Sequence, residues 1–174
     1  MRSLIKKILC LSPLLLGAMQ ATAQQLDISV EIPRLQVAEY HRPYLAIWVE
    51  KESGGVAANL AVWYDIKLKD DKGLEWLKDM RQWWRRTGRD LAFPIDGVTG
   101  ATRAPGKHSL QFVQGREPLG QLPEGNYRLM VEAAREVGGR EVLQLPFSWP
   151  PESEQQSSVS GSSELGEFSF QIKP

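Results

Sequence analysis

Tyr44-Leu45-Ala46-Ile47-Trp48-Val49-Glu50 is apolar at nearly every position, with no polar face at either helical or strand spacing. A run this short and this uniformly apolar suits a central β-strand covered on both sides. Glu50 to Gly55 is a turn cluster, after which Asn59 to Leu68 reads as a second strand. Leu60, Val62 and Tyr64 lie on one of its faces, Ala61 and Trp63 on the other, and the two runs are expected to pair as a hairpin. Upstream, Leu26, Ile28, Val30 and Ile32 alternate with polar residues until Pro33, as a half-buried strand does.

The chain beyond continues in the same idiom. Ser109 to Val113 is strand-like, Tyr127 to Arg135 alternates, Gly138-Gly139 signals a tight hairpin, and Glu141 to Phe147 is its return strand. Phe168, Phe170 and Ile172 mark a last short strand. Pro150 to Ser163 is rich in Pro, Ser, Gln and Glu without an apolar repeat, and reads as a mobile loop. One segment breaks the β pattern. From Gly73 to Thr87, Leu74, Trp76, Leu77, Met80, Trp83 and Trp84 recur at helical spacing. Arg85 and Arg86 close its last turn, and Gly88 stands where a C-terminal cap belongs. The fold expected is mainly β: an immunoglobulin-like antiparallel β-sandwich with one inserted Trp-rich α-helix.

Length and composition allow one such domain, since 174 residues with 42% hydrophobic and 24% charged content are ordinary for a single globular unit. The first 23 residues are set apart from it. Arg2, Lys6 and Lys7 precede an apolar run from Ile8 to Met19, and Ala21-Thr22-Ala23 supplies a small-x-small cleavage site. This is the pattern of a secretory signal peptide, too short and wrongly flanked for a membrane span. Residues 1–23 are therefore expected to be removed after Ala23, leaving residues 24–174 as one domain in the periplasm. Cys10 departs with the leader, so no disulfide, thiol nucleophile or thiolate metal site is expected in the mature chain. The leader also removes three of the 21 basic residues, leaving 18 against 21 acidic ones. That balance, scattered along the chain, carries no nucleic-acid footprint, and no later run is long enough to span a membrane.

The remaining sequence feature is Asp96-Gly97-Val98-Thr99-Gly100-Ala101-Thr102, followed by Arg103. It lacks hydrophobic periodicity and reads as a small-residue loop with one acid and two hydroxyls. Gly97, Gly100 and Ala101 leave the backbone nearly bare, so another protein's active site can close around the Thr102 hydroxyl. Asp-x-x-Ser/Thr-Gly-Ala-Thr/Ser resembles the target motif of ApbE-type flavin transferases, which join the phosphate of FMN to the last hydroxyl of the motif. The resemblance implies covalent FMN on Thr102, a recognised turn at Thr99, Gly100 and Ala101, and an upstream recognition acid at Asp96. Arg103, Lys107 or the turn's own amides are candidates to meet the phosphate charge. Trp83, near the helix end from which the loop departs, is a candidate to flank the ring, whereas Trp84 is expected in the core.

Together with Tyr44 to Glu50, the Trp76-Leu-x-Asp-x-Arg-x-Trp-Trp84 run, Leu122-Pro-Glu-Gly-Asn-Tyr127 and Val131-Glu-Ala-Ala-Arg-Glu136, this motif makes residues 25 to 173 resemble a periplasmic family, domain of unknown function 2271. The resemblance implies an exported protein acting with a flavin transferase and a PepSY-type membrane reductase, as an electron carrier and not a stand-alone enzyme. The inventory of residues agrees in bringing little chemistry of its own. There is no Walker loop, His-Glu-x-x-His helix or Gly-x-Ser-x-Gly elbow, and His41 and His108 are the only histidines. A cofactor-free immunoglobulin-like scaffold and a small-ligand binding module of a membrane complex are the alternatives.

Overall fold

Nine strands form between Gln25 and Lys173 in the computed structural model, which describes residues 24–174. The leader, and with it the cleavage after Ala23, lies outside the described residues. In chain order the strands are β1 (Gln25–Ile32), β2 (Tyr44–Lys51), β3 (Val56–Tyr64), β4 (Thr99–Ala101), β5 (Gly106–Val113), β6 (Gly125–Ala134), β7 (Arg140–Trp149), β8 (Gln155–Ser160) and β9 (Glu167–Lys173). They build a four-stranded sheet in the order β5-β1-β9-β8 and a five-stranded sheet in the order β4-β3-β2-β6-β7. The β2–β3 and β6–β7 pairs are antiparallel hairpins, as their turn residues require.

The alternation in β1 sends Leu26, Ile28, Val30 and Ile32 between the sheets, each at most 2% exposed. They meet Leu45, Ile47 and Val49 of β2, and Leu129, Val131 and Ala133 of β6, in one apolar cluster. The opposite face of β2 is buried as well. Ala46 and Trp48 pack with Met130, Leu77, Met80, Trp83 and Val98 in a second cluster beneath the segment that joins β3 to β4. The five-stranded sheet thus has two dry faces, which is why its central strand is apolar throughout. At the start of β6 the Tyr127 hydroxyl donates to the Pro123 carbonyl at 2.7 Å, in the manner of the tyrosine corner of immunoglobulin-like sandwiches.

The joining segment is not one continuous helix. It holds two short ones, α1 (Lys72–Glu75) and α2 (Arg81–Arg86), separated by a 3-10 turn at Leu77–Asp79 and a non-helical Met80 at φ −76°, ψ 71°. The break has a cause 50 residues away. Glu132, fully buried on β6, accepts the backbone N–H groups of Gln82 at 3.1 Å and Trp83 at 2.7 Å, and pairs with Arg140. In an unbroken helix those two donors would be committed to carbonyls four residues earlier. Here the carboxylate takes them and caps α2 from outside. Gly88 is likewise not a left-handed cap: a Cβ there would lie 2.6 Å from the Trp83 ring, so close approach to that ring is its role.

Two further expectations are corrected. Asn59–Leu68 shortens at its end, because Asp65–Leu68 leaves the sheet after Tyr64. Pro150–Ser163, read as a mobile loop, contains β8, paired antiparallel with β9. An edge strand needs only its backbone ladder on one side, and of the β8 side chains only half-buried Val159 adds apolar contact to the core. The turn after it is tied down too. The Glu141 carboxylate accepts the amides of Ser162, Ser163, Glu164 and Leu165 at 2.6 to 3.1 Å, and the Ser162 hydroxyl at 3.1 Å. Burial alone would raise the Glu141 pKa, but these donors outweigh it and hold the group below the ordinary carboxylate value.

Candidate functional site

The motif is more ordered than a connecting loop. The Ile95 carbonyl accepts the amides of Val98 at 3.2 Å and Thr99 at 2.9 Å, while Thr99 Oγ1 accepts the Ile95 amide at 2.8 Å. Thr99 therefore closes the turn with its own hydroxyl. Asp96 is exposed, and its Oδ1 accepts the Gly97 amide at 3.0 Å. Gly97 has φ +70°, a left-handed conformation in which a side chain is strained.

From Val98 the chain enters the sheet, correcting the expectation of a bare loop. Thr99, Gly100 and Ala101 run parallel to Val62, Trp63 and Tyr64 at the sheet edge. The ladder extends past both ends of β4, through Val62 N–H to Val98 O at 2.9 Å and Thr102 N–H to Tyr64 O at 3.1 Å. Backbone pairing of this kind needs no apolar period; Val98 alone anchors it, 5% exposed. Gly100 is small because a Cβ would come within 3.1 Å of Trp63 Cδ1. Arg103 lays its guanidinium 4.0 Å over the Trp63 ring, and the resulting loss of hydration lowers its pKa. Lys107 is committed elsewhere, to Glu167 at 2.7 Å.

Thr102, half-buried, lines a cavity of about 540 Å³, within the range of pockets that enclose small organic ligands. Its walls come from three other parts of the chain. Tyr40, His41, Arg42 and Tyr44 lead into β2; Asp65, Leu68, Trp76 and Asp79 belong to the segment after β3; Ala134, Arg135 and Glu136 end β6. Trp76 and Leu68 are 46% and 41% exposed and form apolar lips. Deeper in, the Arg135 side chain is only 5% exposed. Its Nε and Nη2 donate to Glu164 at 2.8 and 3.1 Å, which raises its pKa, and Glu164 Oε1 also accepts the Gly139 amide at 2.7 Å. The third guanidinium nitrogen, Nη1, is buried away from the surface with no hydrogen-bond partner among the described residues, and so is the Tyr40 hydroxyl. Burial also pushes the pKa values of Tyr40 and Tyr44 up, keeping both phenols protonated and able to donate.

The sequence-expected residues divide. Thr102 reaches the cavity, with Arg103 next to it in the chain. Asp96 lines a different cleft, of about 440 Å³, with Asn59, Thr87 and Pro118. Trp83 is wholly buried and donates from Nε1 to Asn59 Oδ1 at 2.9 Å, so it cannot flank a ligand; Trp84 is the half-buried member of the pair. The Trp and Tyr side chains that line the cavity with Thr102 are Trp76, Tyr40 and Tyr44. Tyr40, Tyr44 and Arg135 were also not singled out from sequence. The dense Tyr40-His41-Arg42-Pro43-Tyr44 stretch was the available signal. A broader depression of about 910 Å³ on the outer face of the four-stranded sheet, floored by Ser29, Ser109, Ser158 and Ser169, holds no motif residue. Among the described residues no group of three His, Cys, Asp or Glu could hold a metal ion, and no helix is long and apolar enough to cross a membrane.

A family model described as a predicted periplasmic protein (DUF2271) matches residues 25–167. Neither the curated proteins nor the solved structures contain a match.

Proposed function

This chain belongs to DUF2271, a family of predicted periplasmic proteins, and from that premise we propose that it is a flavoprotein carrying FMN covalently on Thr102. The observation that carries the proposal is the coincidence of two independent features at one residue. Thr102 ends the Asp-x-x-Thr-Gly-Ala-Thr motif, and it also lines a cavity walled by Tyr40, Tyr44 and Trp76. Those walls fit the group: aromatic side chains for a planar ring and the exposed Arg42 guanidinium as a donor. When bound, FMN supplies reversible electron uptake and release.

The residues of the chain have separable parts in this reading. Thr102 Oγ1 forms the bond to the flavin phosphorus. Its proton passes to a base on the transferase, and the bond from phosphorus to the donor's leaving group breaks, so the donor is a flavin nucleotide with a substituted phosphate, such as a dinucleotide. Gly100 and exposed Ala101 leave the edge of β4 clear for the transferase. Arg103 supplies a positive charge one residue from the phosphodiester. Thr99 holds the turn and is not an acceptor, since its oxygen already receives the Ile95 amide. An ApbE-type transferase, a PepSY-type membrane reductase as redox partner, and export with cleavage after Ala23 complete the proposal of a periplasmic electron carrier.

Co-expression with a flavin transferase tests it. The intact mass of the wild type should exceed the unmodified chain by one FMN less water, and Thr102→Ala should lose that increment while folding normally. An exported wild type with no added mass beside an active transferase sinks the proposal. A colourless chain that binds a small ligand in the same cavity would favour a ligand-binding module.

A further inference from the structure

We infer that this protein pairs with a second copy of itself through β8, joining two four-stranded sheets into one continuous sheet. Neither the cavity nor the flavin has a part in it. Four strands stand at sheet edges: β5 and β8 in one sheet, β4 and β7 in the other. An edge strand offers unpaired N–H and C=O groups to any passing strand, and monomeric proteins blunt such edges with shortness, charge, proline or a covering group. Three of the four are blunted here. β4 is three residues long. β5 carries Lys107, and its Val113 carbonyl is taken by the Arg116 amide at 3.0 Å. β7 has two devices. The Arg135 amide donates to the Gly139 carbonyl at 3.1 Å, in register with the β6–β7 ladder, so the backbone groups of Pro146 and Ser148 turn away from β6. Pro146 has no N–H to offer, and the Ser148 N–H and C=O are both held by the Gln155 side chain, at 3.1 and 2.9 Å.

β8 has none of these. Gln155–Ser160 contains no charge and no proline. The Gly161 amide donates to the Gly166 carbonyl at 2.9 Å, in register with the β8–β9 ladder. The backbone groups of Gln155, Ser157 and Val159 therefore turn to β9, and those of Gln156, Ser158 and Ser160 turn outward, where no group among the described residues takes them. Nothing charged along this edge selects a foreign strand, and the strand is complementary to itself. Laid antiparallel about a two-fold axis at Ser158, the outward residues of the two copies meet: Ser158 faces Ser158, and Gln156 faces Ser160. Each such pair exchanges both of its backbone hydrogen bonds. On the inner side Ser157 faces Val159, so no charged or bulky side chains oppose one another along the strand. The contact is closed, since each copy spends its free edge on the other. On the outer face Ser109, Ser29, Ser169 and Ser158 are cross-strand neighbours, and their row runs on into the second copy.

The experiment uses the full-length exported protein, whose one cysteine, Cys10, lies in the leader. Sedimentation from micromolar to near-millimolar concentration should show the wild-type mass doubling. Ser158→Lys sets two ammonium groups face to face at the axis and should hold the protein monomeric, with an unchanged melting temperature because Ser158 is exposed. Ser158→Cys gives a second reading. Residues that exchange both hydrogen bonds stand about 5.5 Å apart at Cα, inside the roughly 4.4–6.8 Å that a disulfide spans. Mild oxidation should therefore link two copies of Ser158→Cys and leave Ser109→Cys, on the same face at the opposite edge, monomeric. A wild type that stays monomeric throughout the concentration range overturns the inference. So does a dimer unaffected by Ser158→Lys, or cross-linking of Ser158→Cys no greater than that of Ser109→Cys, since either places the contact elsewhere.

Discussion

Glu132→Ala should be the most damaging single change in the chain that touches no apolar side chain. The Glu132 carboxylate is fully buried and serves three donors: the amides of Gln82 and Trp83 and the guanidinium of Arg140. Removing it leaves the α2 terminus without its cap and Arg140 without its counterion. Breaking one side of a buried, hydrogen-bonded ion pair costs about 3–5 kcal/mol. The middle of that range is appropriate, because Arg140 is 35% exposed and can turn to water whereas the Trp83 amide cannot. For a domain of this size about 4 kcal/mol corresponds to a melting temperature lower by roughly 12 °C. Glu132→Gln keeps one accepting oxygen and should fall between the variant and the wild type. Thermal unfolding followed by tryptophan fluorescence reads both, since Trp83 sits on the capped turn. A loss below about 3 °C for Glu132→Ala would mean that water reaches these amides, and the account of the broken helix would fail.

Four further outcomes follow from the same geometry. Trp83→Leu should cost about 2–5 kcal/mol, as large-to-small core changes do, and leave flavin emission unchanged in the folded fraction; a bright flavin would put Trp83 back beside the ligand. Gly100→Val should be unable to keep the Trp63 contact and should lose about 1–3 kcal/mol, with a lower flavinylated fraction by intact mass. Asp96→Asn, at an exposed position, should leave the melting temperature within about 1 °C, the effect of a surface change under 0.5 kcal/mol, while lowering the extent of flavinylation. Glu141→Gln should lower stability by about 1–3 kcal/mol at neutral pH. Because the folded Glu141 pKa lies below the unfolded one, its stabilisation is complete above the ordinary carboxylate pKa and is lost as pH falls through the folded value. The gap between wild type and variant should therefore close in acid melts, and a gap that widens would reverse the sign of the argument.

Where burial is decided by pattern, the sequence was readable. The alternation of β1 and the unbroken apolar run of β2 report their faces directly, because side chains on a strand have only two sides to choose between. The elements that escaped are held by something other than an apolar period. β8 has little but its ladder to β9, β4 has little but its ladder to β3, and the break at Met80 is made by a carboxylate on a strand 50 residues later. The site divides in the same way. Thr102 could be named because its motif is local, whereas the cavity joins side chains from residues 40–44, 65–79 and 134–136, which only the fold brings together. Trp83 and Trp76 both fit a helical stripe; Trp76 lines the cavity and Trp83 the core, on either side of the kink that Glu132 imposes.

The parallel pairing of β4 with β3 has a topological consequence. Two neighbouring parallel strands cannot be joined by a tight turn; the chain must travel back along the sheet before the second begins. Residues 65–98 are that return path, so the Trp-rich segment is an obligatory crossover and not a decoration inserted into a sandwich. It delivers Thr102 to the end of the sheet where Tyr64 finishes, beside Tyr44 and Ala134. Cutting the crossover down to a hairpin turn would reverse the direction of β4 and carry the hydroxyl to the far end of the edge, away from the cavity. The segment thus sets both the wall of the cavity and the polarity of the strand that leads into Thr102, and neither can be shortened without the other.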